Sequence, residues 1–240
     1  MTEKSVHYSL DNGIATIRID DGKRNALSPA VLDQIYQALD RAESDRAIVI
    51  LTGRDDVFSA GFDLKVMKRG GMNALTMLRR GYGLTARVMN YPYPVIAACN
   101  GHALAMGVFL MLSADHVIGT QGDFKVSANE VAIGLTMPRV AAATLAHRLT
   151  PAAYQRAVTL SAYFPVEEAR SVGFFDELVT ASDLHSTAVA RANQFSELNT
   201  AAHTASKRRI RRSLIWKIRR SIPLDLLDAI LMGLRGGKPK

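Results

Sequence analysis

Two short turns in this chain of 240 residues carry residue types suited to chemistry at a carbonyl group. One is Phe58-Ser59-Ala60-Gly61-Phe62-Asp63-Leu64. The other is Asn100-Gly101-His102-Ala103-Leu104-Ala105-Met106-Gly107. Each follows an apolar run. At the start of a helix, backbone N–H groups lack intrahelical partners and the dipole is positive. Two such groups aimed at one point would stabilise an oxyanion. Small-residue turns are common, so either one alone reads equally well as an ordinary connection. Other chemistry is absent. The histidines, His7, His102, His116, His147, His185 and His203, have no metal-ligand spacing and no cysteine partner. There is no G-x-S-x-G elbow, Walker A loop or G-x-G-x-x-G. Cys99 closes an apolar strand and reads as core rather than nucleophile.

The elements around these turns follow from patterning. Val6–Leu10 and Ile14–Ile19 alternate about Asp11-Asn12-Gly13, a hairpin signal. Ser28-Pro29 opens a helix carrying Val31, Leu32, Ile35, Leu39 and Ala42 on one face. Residues 47–51, 94–99 and 115–119 read as buried strands. Residues 65–89 are basic, glycine-interrupted and partly helical. Residues 106–112 predict a helix buried all round. Residues 135–149, 151–160 and 166–172 predict successive helices. From Asp183 the pattern is almost wholly helical, ending in Gly-Gly-Lys-Pro-Lys. Alternation of strand and helix predicts an α/β fold with parallel strands.

Composition sets outer bounds. Hydrophobic residues make up 48% and charged residues 22%, which excludes disorder and a disulfide-stapled miniprotein. One cysteine forms no intrachain disulfide, and no secretory signal is evident at the N-terminus, so a cytoplasmic location is expected. Residues 88–114 carry no charged side chain, but Pro92, Pro94, Asn100 and Gly101 interrupt them. They read as strand, turn and helix, not as a membrane span. The net charge of +8 is local. Lys207, Arg208, Arg209, Arg211, Arg212, Lys217, Arg219 and Arg220 lie between Ser206 and Ser221 with no acid among them. Without these eight, the 30 basic residues fall to 22, equal to the 22 acids.

The two turns come in order with Arg24-Asn25-Ala26-Leu27-Ser28 before them and Asn129-Glu130-Val131-Ala132-Ile133-Gly134-Leu135 and Pro138 after them. This series resembles the enoyl-CoA hydratase/isomerase (crotonase) superfamily over roughly residues 5 to 180. The resemblance implies a spiral of β-β-α units over residues 1–180. A C-terminal helical region, residues 181–240, would serve oligomerisation or cover the active site. It implies an acyl-CoA thioester as substrate, no resident cofactor or metal, and a homotrimer or hexamer. By motif match the oxyanion hole falls on the N–H groups of Phe62 and Met106. CoA contacts fall on Arg24, Ala26, Leu27, Ala60, Asp63, Leu64 and Lys65, and the acyl pocket on Phe109 and Met67. Met67, Met72, Met77, Leu78, Met89 and Met106 fit either an apolar acyl wall or helix packing.

Hydratases of this superfamily resemble one another in carrying two glutamates. Here the first position is Phe109 and the second is Glu130. Alone, Glu130 reads as a surface acid or a charge at a helix start. With the resemblance it becomes the catalytic base. Between Leu64 and Val166 the only other carboxylates are Asp115 and Asp123, and neither matches a catalytic position. One carboxylate suits a 1,3-proton shift, as in the mitochondrial type of Δ3,Δ2-enoyl-CoA isomerase. The resemblance thus implies an isomerase of fatty acid β-oxidation, with an atypical hydratase as the alternative. The alternative of another class is a silent acyl-CoA- or RNA-binding scaffold. For the basic segment three roles stay open: a solvated face, attraction of CoA phosphates, or a nucleic acid or anionic membrane surface. No RNA-recognition motif supports nucleic acid.

Overall fold

The computed structural model describes residues 4–234. Strands β1 (Val6–Asp11) and β2 (Ile14–Ile19) pair antiparallel through a two-residue turn. Asn12 and Gly13 both have positive φ there, 47° and 77°, as a type I′ turn requires. A short strand β3 (Ala26–Leu27) leads to helix α1 (Pro29–Ser44). Ser28 caps α1 by accepting a 3.3 Å hydrogen bond from Val31 N, and Val31, Leu32, Ile35, Leu39 and Ala42 are buried. The predicted apolar spacing is therefore the packed face.

The chain continues through β4 (Ile48–Thr52), β5 (Val57–Ser59), β6 (Gly61–Phe62), α2 (Leu64–Arg69) and α3 (Gly71–Met89). Then come β7 (Val95–Cys99), β8 (His102–Leu104), α4 (Met106–Leu112), β9 (His116–Thr120) and β10 (Val126–Ser127). Helices α5 (Arg139–Arg148), α6 (Pro151–Leu160) and α7 (Val166–Val172) precede β11 (Glu177–Val179), α8 (Leu184–Ser196) and α9 (Thr200–Leu234). The main sheet has the order β1-β2-β4-β7-β9-β11, parallel except at the hairpin. A second sheet has the order β10-β8-β5, and β3 pairs with β6.

Alternation through the main sheet buries both of its faces. Val49, Leu51, Val95, Ala97 and Cys99 join the large core. Ile48, Ile50, Ile96 and Ala98 join a smaller core with Leu184, Ala188 and Ala192 of α8. The uncharged stretch 88–114 is thus consumed by the end of α3, by β7 and β8, and by α4. Among the described residues, no helix is long and apolar enough to cross a membrane.

The structure sharpens one expectation, the glycine-interrupted helical stretch, and corrects two others. Residues 65–89 form two helices, because Gly70 and Gly71 both have positive φ. Helix α5 starts at Arg139, not residue 135. A 3-10 turn over Val131–Ile133 ends at left-handed Gly134, and Pro138 disfavours helical geometry in the residue before it. The basic segment is not simply a solvated face. Side chains of Lys207 and Arg211 are only 5% and 8% exposed and share Asp115, at 2.5 and 2.9 Å. Arg211 also donates to the Met89 and Ala114 carbonyls, and Lys207 to that of Tyr93. Ile210 and Trp216 point outward while Ile218 is buried, so apolar and basic side chains do not sort onto opposite faces. The remaining six basic residues of the segment are exposed. The terminal Gly-Gly-Lys-Pro-Lys lies outside the described residues.

Asp115 therefore ties α9 to the starts of β7 and β9, since it also accepts from Val95 N. Removing one partner of a buried cluster strands the others without compensation. Asp115→Ala should lower stability by about 3–5 kcal/mol in denaturant unfolding. Arg208→Ala, on the exposed side of the same helix, should change it by less than about 0.5 kcal/mol.

Candidate active site

The second sheet gathers three distant segments. Its strands β5, β8 and β10 run parallel, with Ser59 opposite Ala103 and Leu104 opposite Ser127. The first turn leaves the end of β5, the second leaves β8, and Asn129-Glu130 leaves β10. Phe62, Met106 and Glu130 thus follow three adjacent strand ends, the region where parallel sheets bind ligands. Ala105 N donates to Ser127 O at 3.0 Å, stitching the second turn to the Glu130 segment.

Side-chain amides, one buried and one half-buried, hold the first turn in place. Asn25 is fully buried with φ 53°, and its Nδ2 donates to the carbonyls of Ile19, Val57 and Phe58. Ser59 Oγ donates to Asn25 O at 2.8 Å and accepts from Gly61 N at 3.1 Å. Asn100 accepts from Gly53 N and donates to the carbonyls of Arg54, Asp55 and Val57. These roles were not legible in sequence, because an asparagine beside a turn usually reads as turn propensity.

The two turns touch. A Cβ at Gly61 would lie 3.0 Å from Ala105 Cβ, 3.0 Å from Leu104 O and 3.2 Å from Met106 N. One at Gly107 would lie 2.5 Å from Ser59 O. Only glycine lets the backbones approach this closely. Met106 opens α4, so its N–H has no partner one turn back, and Ala105 has no side chain to cap it. Ala105 itself sits at φ 47°, ψ −124°, a conformation glycine adopts far more readily. The Phe62 ring packs edge-on to Tyr82 at 5.6 Å and fills the space a Cβ at Gly81 would take.

Glu130 is 6% exposed, and its Oε2 is buried without a hydrogen-bond partner. Asn129 Oδ1 beside it is likewise buried and unpartnered. Burial pushes the Glu130 carboxyl up from 4.5 to about 7, against the opposing effect of its own backbone N–H. Tyr82 is also raised, first by burial and then by the negative charges of Asp225 and Glu130. Phe109 and Met106 are buried apolar residues of α4. Asp115 is committed to its ion cluster and Asp123 is exposed, so neither joins this site. Asp225 lies on α9, far outside the stretch from Leu64 to Val166 that surrounds the two turns in sequence. Nothing in its local sequence distinguishes it from other helical acids.

The proposed CoA residues form one ridge. Ala26 pairs with Gly61 and Leu27 with Phe62, and Ala60 N donates to Arg24 O. Leu64 and Lys65 are exposed at the start of α2, while Asp63 caps that helix through Lys65 N. Arg24 is exposed beside Asp56. Leu27 is fully buried, backbone included, so unlike Leu64 and Lys65 it presents no surface to a ligand. Met67 is half-buried, Met72 is exposed, and Met77, Leu78 and Met89 are core. Burial pushes Cys99 up to about 12, which keeps its thiol protonated and inert. Among the described residues no group of three or more His, Cys, Asp or Glu could hold a metal.

Residues 9–222 match the enoyl-CoA hydratase/isomerase family. A Mycobacterium avium protein named probable enoyl-CoA hydratase is 33% identical over 203 residues, 83% of this chain and 78% of that protein. The human mitochondrial enoyl-CoA delta isomerase 1 is 26% identical over 84% of this chain and 68% of its own. One Mycobacterium tuberculosis protein has been solved under two names. As a probable enoyl-CoA hydratase it is 39% identical, with a TM-score of 0.92, covering 97% of this chain and 98% of that one. As an enoyl-CoA isomerase it is 41% identical, with a TM-score of 0.88 and coverage of 92% and 97%. The fold described above is the crotonase fold of these structures.

Strain at Ala105 costs about 1–3 kcal/mol, partly offset by the roughly 0.5–1 kcal/mol of extra chain entropy a glycine loses on folding. Ala105→Gly should therefore stabilise the protein by about 1 kcal/mol in denaturant unfolding. Gly61→Ala should destabilise it, and less so in the Ala105→Gly background, where the facing Cβ is gone.

Proposed function

The chain belongs to the enoyl-CoA hydratase/isomerase family, and from that premise we propose that it converts a 3-enoyl-CoA thioester to the 2-enoyl isomer. Glu130 is the single proton carrier, and the N–H groups of Phe62 and Met106 receive the thioester oxyanion. The observation that carries this reading is a buried carboxylate with a free oxygen, on a segment stitched through Ala105 N and Ser127 O to the place where the two turns meet.

The chemistry balances with one group. Glu130 removes a proton from C2, and charge moves onto the thioester oxygen as a dienolate. The oxyanion donors stabilise that charge without reorganising. The double bond shifts from C3–C4 to C2–C3 as Glu130 returns the proton to C4. No water is consumed. A base with a pKa near 7 suits removal of a weakly acidic proton at neutral pH. Apolar Phe109 and Met106 exclude water.

Hydration is the second reading, favoured by the name of the M. avium relative. It needs a second group to hold and deprotonate water, and Phe109 does neither. The two names of the M. tuberculosis protein show that naming separates these reactions poorly. The same proposal places CoA along the ridge from Arg24 to Lys65. It also includes a homotrimer or hexamer working in the cytoplasm on fatty acyl chains.

With trans-3-hexenoyl-CoA, absorbance should report conjugation while mass stays constant. A gain of one water would overturn the isomerase in favour of the hydratase. Glu130→Gln should abolish turnover and leave acyl-CoA binding nearly intact. Because the base must be ionised, kcat/KM of the native enzyme should rise with pH through about 7 and then level off. The same raised pKa means the folded state holds that proton more tightly than the unfolded chain. Its stabilising contribution is present below pH 4.5 and is lost as pH rises through about 7. Phe109→Glu should introduce measurable hydration, followed by the mass of the product.

A further inference from the structure

Helix α9 brings a buried carboxylate to the start of α5, at the far end of the segment that Glu130 opens. The Asp225 side chain is 3% exposed. Its Oδ1 accepts from Arg139 N at 3.0 Å and Arg139 Nη1 at 3.1 Å, and its Oδ2 accepts from Val140 N at 3.0 Å. Helix α5 has no cap of its own, because Pro138 precedes it and supplies no side-chain acceptor. Asp225 therefore performs the N-cap role from another helix, its charge facing the positive end of the α5 dipole.

Glu130 opens the segment that this cap closes. Upstream, the segment is held by the pairing of β10 and by Ala132 N donating to Ser161 Oγ at 2.9 Å. Within it, Leu135 N donates to Glu130 O at 2.9 Å. Downstream, Arg139 and Val140 are held by Asp225. We propose that Asp225 is a positioning residue that pins the far end of the Glu130 segment, so that seating α9 against α5 and placing the Glu130 carboxylate are one event. This rests on the reading of Glu130 as the base.

The charged and titratable surroundings fit that role. Tyr82 on α3 feels the charges of both Asp225 and Glu130. Arg139 on α5 is shared between Asp225 and Asp228 of α9, the latter at 2.5 Å. With three donors on its two oxygens, Asp225 is engaged in holding the start of α5. A cap that served stability alone would leave the titration of Glu130 in the folded enzyme untouched.

The test uses the full chain as Asp225→Ala and Asp225→Asn, with exposed Asp228→Asn as the control. Three quantities are read: amide hydrogen exchange over residues 130–138, kcat and KM for isomerisation, and the acid limb of kcat/KM. In Asp225→Ala, exchange over 130–138 should quicken at least about tenfold while β4 and β7 stay protected. The kcat should fall about tenfold to a hundredfold, with KM changing less than about threefold. The acid limb should move down from about 7 as water reaches the carboxyl. Asp225→Asn, which keeps the shape and one acceptor, should fall between the native enzyme and Asp225→Ala. It carries the test if the alanine variant does not fold. Native exchange and a native acid limb in a folded variant would overturn the proposal, as would exchange quickened equally in all strands. Quickening confined to 130–138, with an unmoved limb and an active Glu130→Gln enzyme, would uphold the pin and overturn Glu130 as base.

Discussion

The hydrogen bonds that join β5, β8 and β10 in parallel fix the spacing of three segments far apart in sequence. Each strand is only two or three residues long. Parallel pairing sets their register, and a slip of one residue would turn successive side chains to opposite faces. The first turn, the second turn and the Glu130 segment inherit their relative positions from this small sheet. The large sheet beneath supplies rigidity, and its burial on both faces leaves it little freedom to shift.

Unfavourable terms concentrate at the same place. Ala105 holds a backbone conformation suited to glycine, and Glu130 and Asn129 keep buried oxygens without partners. Each costs on the order of 1–3 kcal/mol. The surroundings over-determine them. Asn25, Ser59 and Asn100 satisfy many backbone groups of the loops before the first turn, and the glycines at 61 and 107 permit the turns to meet. A locally strained site inside a well-satisfied frame is the pattern expected where binding or catalysis is the purpose.

Charge divides along α9. Lys207 and Arg211 turn inward to Asp115, where their desolvation is offset by ion pairing and by donation to carbonyls at the ends of α3, α4 and the loop before β7. Burial lowers the proton affinity of Lys207 to about 8 despite the carboxylate beside it. Arg208, Arg209, Arg212, Lys217, Arg219 and Arg220 remain in solvent. Further along, Asp225 reaches α5. One helix is thus fastened at two points, first by buried cations and then by a buried anion.

Much of this protein could be read directly along the chain. The Asn12-Gly13 hairpin, the Ser28-Pro29 helix start, the uncharged run from Val88 to Ala114 and the ordered turns around Gly61 and Gly107 are local signals. Local chemistry, whether φ preference, capping or apolar period, determines them. The absence of a second carboxylate near Phe109 was legible too, but only along the neighbouring sequence. What tertiary structure alone decided depends on groups that are distant in the chain. Nothing near Asp115 marks it as the partner of Lys207 and Arg211, and nothing near Asp225 marks it as the cap of α5. Neither the burial that raises the Glu130 carboxyl nor the contact between Gly61 and Ala105 is encoded in any single segment. Desolvation and close approach are properties of packed neighbours, and those neighbours are chosen only when the strands align.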